Sequence, residues 1–457
     1  MAPAAGTPRN SDQPSSWWNL EQRRTRWPLI AAVGCAAVAA LFAVRAMRPA
    51  DDPRAIERRW RELQAAVTAA IDAGRPADAV SAAESALSLA ITNFKEPNPA
   101  IAESCRQLAG ASVAAGDYAA ARVAAERAAG NYEALLGQGN LETAAVVGEY
   151  GMILGRLGRF AEARPLLEGA LKACEKIAGP DAAATAAAIQ NLADFNLLDA
   201  RYESATPLYE RAVEITTKAA GPAGLPTAAA MAGLGACLAR GADSGPKSDP
   251  TARKAGERAE ELLERSLLIQ QRAAGPADKR IVPTLLHLAA LRQAQQQPEQ
   301  AEDAALEALA ISEVRFGPRH PQTASALAAF ADCAKTRGDL PLAQQCLDRA
   351  AVIRNNTLGL GHPDTIATLD QLSNVLIARG DYKTAEKPCR ALVQGLANKR
   401  PEDAAATKRA TERLADVLDH TERADEAKKL RQRLAPPAEA PASAPGKSAP
   451  APGKAGR

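Results

Sequence analysis

The chain has 457 residues, of which 47% are hydrophobic and only 4% aromatic, so a core of small aliphatic side chains is expected. Its 56 basic and 53 acidic residues are interspersed, which argues against nucleic acid as the main partner, because that role calls for a clustered basic face. Long alternating runs of β-branched and aromatic residues are absent, so the composition predicts an all-α protein.

The N-terminus combines a polar arm with an apolar segment. Residues 1–26 are polar, and we expect them to form a disordered arm. The uncharged run LIAAVGCAAVAALFAV follows at 29–44, and a helix over 27–47 would be about 30 Å long, enough to cross a bilayer. We therefore predict a transmembrane helix, acting as a signal anchor, at 27–47. A signal peptide that is cleaved off is the alternative, because Arg23, Arg24 and Arg26 precede the apolar run.

The orientation of this segment is ambiguous in the sequence. More arginines follow the run than precede it, which places the following chain in the cytoplasm by the positive-inside rule. An N-terminal signal anchor usually has the opposite effect. Because unpaired cysteines favour a reducing compartment, we predict a single-pass membrane protein with its larger part on the cytoplasmic side.

A repeat begins beyond residue 54. Tracked from unit to unit, one column contains only alanine. Successive alanines of the column are separated by the same number of residues as Ala79 and Ala121, except that the spacing from Ala205 to Ala259 is longer. The members of the column are Ala79, Ala121, Ala163, Ala205, Ala259, Ala301, Ala343, Ala385 and Ala427. A second column holds small residues, each preceded by a large one, and a recurring glycine is expected to end the second helix of each unit.

These columns are typical of paired antiparallel helices, with small residues where the two helices cross. Such a pair cannot bury its own apolar face, so it must stack on its neighbours. The fold predicted is an all-α, α-solenoid array of about nine helical hairpins over residues 54–434. The additional residues of the longer step, around 241–252, predict a loop insertion, and the Pro/Ala-rich residues 435–457 predict a disordered tail.

Two stretches resemble a known family. Residues 316–351 and 358–392, which include LGLGHPDTIATLDQLSNVLIARGDYKTAEKPCRAL, are similar to tetratricopeptide repeats of the kinesin light chain type, whose period matches the regular step of the alanine column. The resemblance implies a superhelix (TPR-like) whose concave wall is lined mainly by the first helix of each hairpin. It also implies a groove in which asparagines of an L-N-N-L-A motif hold a peptide backbone. Here the second Asn of that motif survives only as Asn191.

Motifs for catalysis are absent from the sequence. It contains no GxxxxGK[ST] phosphate loop, no HExxH and no CxxC pair, so we predict no enzyme, no cofactor and no metal site. His320 and His362 stand one repeat period apart, each before a proline, and we interpret both as part of the repeated loop.

The candidate site is therefore a peptide-binding groove. The side chains predicted to line it are Gln107, Asn191, Asp194, His287, Asp332, Gln371, Asn374 and Arg413. The carboxylates among them make the groove slightly acidic, which favours a basic or polar peptide. We predict a membrane-anchored scaffold for protein–protein interaction that binds a polypeptide partner in this groove. The alternatives are a structural module that associates with itself, and a secreted or periplasmic repeat protein released by signal cleavage.

Overall fold

The computed structural model of the protein describes residues 52–244, 250–397 and 404–434, and within these ranges the chain forms helices, turns and loops but no strand. The helices are α1 Pro53–Asp72, α2 Pro76–Asn93, α3 Pro99–Ala115, α4 Tyr118–Leu136, α5 Leu141–Arg156, α6 Phe160–Ala178, α7 Ala183–Leu198, α8 Tyr202–Ala220, α9 Leu225–Ser244, α10 Pro250–Ala274, α11 Val282–Ala294, α12 Pro298–Arg315, α13 Pro321–Thr336, α14 Leu340–Leu358, α15 Pro363–Ala378, α16 Tyr382–Ala397, α17 Ala404–Asp419 and α18 Ala424–Leu434. All the packing described below lies in the compact unit that begins at Glu62.

Consecutive helices pair as hairpins, numbered here from hairpin 1 (α1–α2) to hairpin 9 (α17–α18), and successive hairpins stack as a helical repeat solenoid. The predicted repeat fold is confirmed. Residues 1–26 and 435–457, predicted to be disordered, lie outside the described residues.

The predicted membrane segment requires a correction. None of the helices that the structure describes is both long and apolar enough to cross a bilayer, and each carries polar or charged side chains. The segment at 27–47 lies outside the described residues. The prediction of a single-pass membrane localisation, with the array on the cytoplasmic side, is therefore wrong. It rested on an apolar run at 29–44 in which seven residues are alanine. The free energy of transferring an alanine side chain from water to lipid is only weakly favourable.

The alanine column marks the crossing of the two helices in each hairpin. All nine of its alanines, from Ala79 to Ala427, have a side-chain exposure of 0%. The second column faces it: a Cβ added to Gly151 would lie 2.8 Å from Cγ of Leu167, and one added to Gly235 would lie 2.8 Å from Cγ of Leu263. Since real carbon atoms do not pack so closely, the helices approach each other only because these positions are small.

Large apolar residues fill the layer between hairpins. Leu154 and Leu167 of hairpin 3 form one buried cluster with Leu192 and Phe195 of hairpin 4. The ring of Phe195 is accommodated by Gly155, since a Cβ there would lie 3.1 Å from the ring. Burial of such side chains supplies most of the stability of stacked repeats.

The inserted residues lengthen one hairpin. Residues 241–244 continue α9, and residues 250–252 begin α10, where Pro250 occupies the first helical position that proline favours. Most of the segment expected to be a loop is therefore helical, because alanine and charged residues on both sides extend the helices into it.

Hairpins five repeats apart also touch. His320, in the loop before α13, places its Nε2 3.4 Å from the carbonyl oxygen of Val113 at the end of α3. His362, before α15, places its Nε2 2.8 Å from the carbonyl oxygen of Arg156 at the end of α5. In addition α14 packs on α4. The coiled array thus brings hairpins 7 and 8 against hairpins 2 and 3.

The crossing makes a direct prediction about stability. Ala205→Leu should lower the free energy of unfolding by about 1–3 kcal/mol, because the buried crossing has no room for three more carbon atoms. Ala219→Leu, at an exposed position of the same helix, is the matched control and should change it by less than about 0.5 kcal/mol. Urea unfolding followed by circular dichroism measures both, and equal midpoints for the two variants would contradict the assigned role of the column.

Candidate binding site

A cavity of about 420 Å³ opens on the first helices of hairpins 1 to 4. Its apolar lining comes from α1, α3, α5 and α4 and comprises Val67, Ile71, Ala109, Val113, Ala125, Ala128, Val146, Met152 and Ile153. A cavity of this size and lining is within the range of ligand-binding pockets in proteins. Its volume is large enough for an apolar side chain and the groups next to it.

Charged residues at the rim of the cavity bind one another. Arg106 of α3 donates two hydrogen bonds to Glu149 of α5, with N–O distances of 3.0 and 2.6 Å. Glu103 accepts hydrogen bonds from the hydroxyl of Tyr132 at 2.7 Å and from the amide of Gln107 at 3.2 Å. Both carboxylates therefore already have donors.

Three polar groups in the same cavity have no such partner among the described residues. Arg156 has no carboxylate of the described chain within 4.0 Å, and its guanidinium carbon lies 5.9 Å from the ring centroid of Tyr118. The amide of Asn191 forms no hydrogen bond within the described chain, and Oε1 of Gln107 is buried without a donor. The cation of Arg156 and the amide of Asn191 are thus available to a ligand.

Asp194 lies one helical turn beyond Asn191 and has a structural partner. The hydroxyl of the buried Tyr209 donates a hydrogen bond to its Oδ1. Burial raises the pKa of the Asp194 carboxyl, and the bond from Tyr209 and the charge of Arg156 oppose the rise. The groove position of the next hairpin is Gly233, where a Cβ would lie 2.1 Å from the Tyr209 ring. The Tyr209 ring thus occupies the space of a groove side chain.

The remaining predicted residues lie apart from the cavity. His287 sits beside Arg240 and Leu291, and burial, followed by the charge of Arg240, lowers its pKa to about 4. Gln371 of α15 donates to Asp332 of α13 at 3.1 Å. Asp332 also accepts from Lys335 at 2.7 Å.

Asp370 links the last two predicted residues. It accepts from Arg413 of α17 at 2.6 Å and from Asn374 at 3.2 Å. Hydrogen bonds thus join neighbouring first helices at three places on this face, α3 to α5, α13 to α15 and α15 to α17. Arg106, Lys335 and Arg413 neutralise Glu149, Asp332 and Asp370, whereas Arg156 has no carboxylate partner among the described residues, so this face carries less negative charge than its carboxylates alone suggest.

Arg156 is the residue that the sequence analysis missed. It lies on the same face of α5 as Glu149, about two helical turns further on. The predicted groove residues form a row that begins at the motif-asparagine position of each first helix and stops one turn later, so this row did not reach the C-terminal end of α5. Extending the row by a further turn would have found Arg156 and its repeat counterpart Arg240.

Comparisons with known proteins agree with the repeat pattern. The family model described as Tetratricopeptide repeat matches residues 142–218 and 280–351. No curated protein is significantly similar to the chain in sequence. Within the residues that the structure describes, no group of three or more His, Cys, Asp or Glu side chains is placed to hold a metal ion.

Solved structures of repeat proteins are similar to parts of the chain. A kinesin light chain of Podosopora anserina with nearly identical TPR-like repeats is 20% identical, with 44% of this chain and 91% of that one covered and a TM-score of 0.37. BtubC (BKLC) from P. vanneervenii is 19% identical over 64% of this chain and 99% of its own, with a TM-score of 0.38. A STAND protein of Pyrococcus horikoshii with a tetratricopeptide repeat sensor is 15% identical over 84% and 53%, with a TM-score of 0.48. Values this low support no inference about ligands.

The buried histidines predict a loss of stability in acid. Burial, together with the charges of Arg156 and Lys279, lowers the pKa of His320 from its ordinary value of 6.5 to about 4, although its bond to Val113 opposes the shift. Because the folded state holds the neutral ring, the stabilisation is complete above pH 6.5 and is lost as the pH falls from 6.5 toward 4. The loss from this group alone should reach ~2–3 kcal/mol.

Urea unfolding of the wild type and of His320→Asn across this pH window checks the assignment. The wild type should lose more stability than the variant, and the difference should develop between pH 6.5 and 4. Identical pH dependence of the two proteins would contradict a buried neutral histidine at this position.

Proposed function

We propose that this chain is a tetratricopeptide repeat protein of the kinesin light chain type. We propose further that it is a protein–protein interaction scaffold, which binds a polypeptide segment on the first-helix face of its array. The observation that carries the proposal is the cavity between α1, α3, α5 and α7. It combines an apolar lining with polar groups that the described chain leaves without partners. Binding, rather than catalysis, accounts for such a set, because its carboxylates are held in ion pairs and hydrogen bonds.

The chemistry of the cavity specifies the ligand. An aliphatic side chain fits the lining of Val67, Val113 and Ile153. A carboxylate beside it would pair with Arg156, since a charge-assisted hydrogen bond is stronger than a neutral one. The amide of Asn191 can bond a peptide backbone, which offers one donor and one acceptor per residue. We therefore propose an extended peptide with an aliphatic residue next to an acidic one, in place of the basic or polar peptide expected from the sequence.

Selection from a random-peptide display library against the purified chain tests this function. The selected peptides should share an aliphatic residue beside Asp or Glu. Arg156→Gln should weaken their binding roughly 10- to 100-fold, because a hydrogen bond to a charged group contributes about 1.5–3 kcal/mol when desolvated. The control Arg253→Gln removes an arginine whose side chain is 81% exposed on α10, and its affinity should match that of the wild type.

Filling the cavity gives a second test of the same function. Gly110 lies on α3 in the cavity lining, and a Cβ there meets no atom within 4 Å. Gly110→Leu should abolish peptide binding, because the leucine side chain fills the cavity. The fold should remain intact, because leucine is a better helix former than glycine. Gly130→Leu on α4 is the matched control, since that glycine is helical and has open space but lies outside the cavity.

Two results would reject the proposal. One is peptide binding that survives both Arg156→Gln and Gly110→Leu. The other is a purified chain that forms stable oligomers, measured by light scattering, which Gly110→Leu dissociates. In that case the cavity would serve self-assembly.

A further inference from the structure

Two histidines connect hairpins that are five repeats apart. His320 and His362 each occupy the N-cap position of a helix, where Nδ1 accepts a backbone N–H, from Gln322 at 3.0 Å and from Asp364 at 3.1 Å. A ring nitrogen that accepts carries no proton, so in the neutral ring the proton is on Nε2. Nε2 can then donate to the carbonyl oxygens of Val113 and Arg156.

The choice of histidine is not explained by capping. At the same repeat position Asn98 and Asn140 cap α3 and α5, and Asp278 caps the short 3₁₀ helix Lys279–Ile281 before α11, each with a side-chain oxygen, as is common at helix N-termini. Each of these shorter side chains accepts a hydrogen bond from one backbone N–H and does not extend to an earlier hairpin. Histidine has a second nitrogen on the far side of its ring, and in hairpins 7 and 8 that nitrogen reaches an earlier hairpin.

Two turn glycines complete the contact. A Cβ on Gly116 would lie 2.5 Å from Cδ of Pro321, and one on Gly158 would lie 3.2 Å from Cδ of Pro363. Gly338 occupies the same turn position in a later hairpin with a similar left-handed φ of +84°, and nothing lies within 4 Å of its Cβ. The early turns thus need glycine for two reasons, backbone conformation and the close approach of a proline.

The contact also adjoins the cavity. Val113 and Arg156, whose carbonyl oxygens accept from the histidines, both line the cavity. This contact is smaller than the buried layers between neighbouring hairpins, and it includes two hydrogen bonds, two proline–glycine contacts and the edge where α14 meets α4. It can therefore separate while every hairpin remains folded.

We propose that loops 317–321 and 359–363, together with the turns at Gly116 and Gly158, form a latch that fastens hairpins 7 and 8 to hairpins 2 and 3. The latch opens and closes without unfolding, and a peptide enters and leaves the cavity when it is open. The gating role rests on the proposed function, whereas the existence of the latch does not.

Two double variants open the latch by different means. His320→Asn with His362→Asn keeps an N-cap side chain of the kind that the array already uses and removes both Nε2 donors. Gly116→Ala with Gly158→Ala places a methyl group against each proline. The control is Gly338→Ala with Gly380→Ala, which imposes the same left-handed strain, at φ of +84° and +72°, in open space.

Small-angle X-ray scattering of the full chain is the first readout, with circular dichroism to verify helical content. The radius of gyration should rise in both latch variants and stay at the wild-type value in the control. Hydrogen exchange should quicken at the C-terminal ends of α3 and α5 in the latch variants alone. Folded latch variants with the scattering curve of the wild type would overturn the latch.

Stopped-flow binding of a library-selected peptide is the second readout. Both the association and the dissociation rates should rise in the latch variants, by about tenfold or more, because entry and exit share one opening step. An expanded chain with unchanged rates would overturn the gating role. If no peptide is selected at all, the proposed function fails, and the scattering still decides whether the latch exists.

Discussion

The close approach of two helices at a pair of small residues is the constraint on which the array depends. With Ala163 at the crossing and Gly151 against Leu167, the two helices of hairpin 3 approach more closely than larger side chains would allow. The hairpin then presents a flat apolar face, which Leu192 and Phe195 of the next hairpin cover. Each hairpin has a buried alanine at this crossing and stacks on the next, and stacked hairpins of this kind coil.

The coil has two consequences that no single hairpin could have. It brings the first helices of four hairpins around one cavity, and it returns the chain to its own earlier hairpins after five repeats. Both meet at Val113 and Arg156, which line the cavity and whose carbonyl oxygens receive the histidines. The proposed binding face and the proposed latch therefore share the C-terminal ends of α3 and α5.

The sequence predicted the hairpins well because their determinants are local and repeated. The alanine column could be found by period alone, and every member is buried. The character of the groove could not be found in this way, since it depends on which side chains meet across hairpins. Asp332 appears acidic in the sequence but is paired with Lys335 and Gln371. The contact of His320 with Val113 spans 207 positions, and a pattern that compares each repeat with the next does not reveal it.

Site-specific photo-cross-linking tests the central claim, that a polypeptide binds on the first-helix face, most directly. A benzophenone amino acid would replace Met152 in the cavity lining or, as the control, Val314, which is 76% exposed on the second helix of hairpin 6. A selected peptide should cross-link to the chain labelled at position 152 and not to the chain labelled at position 314. Cross-linking at position 314 alone, or equally at both positions, would contradict the account.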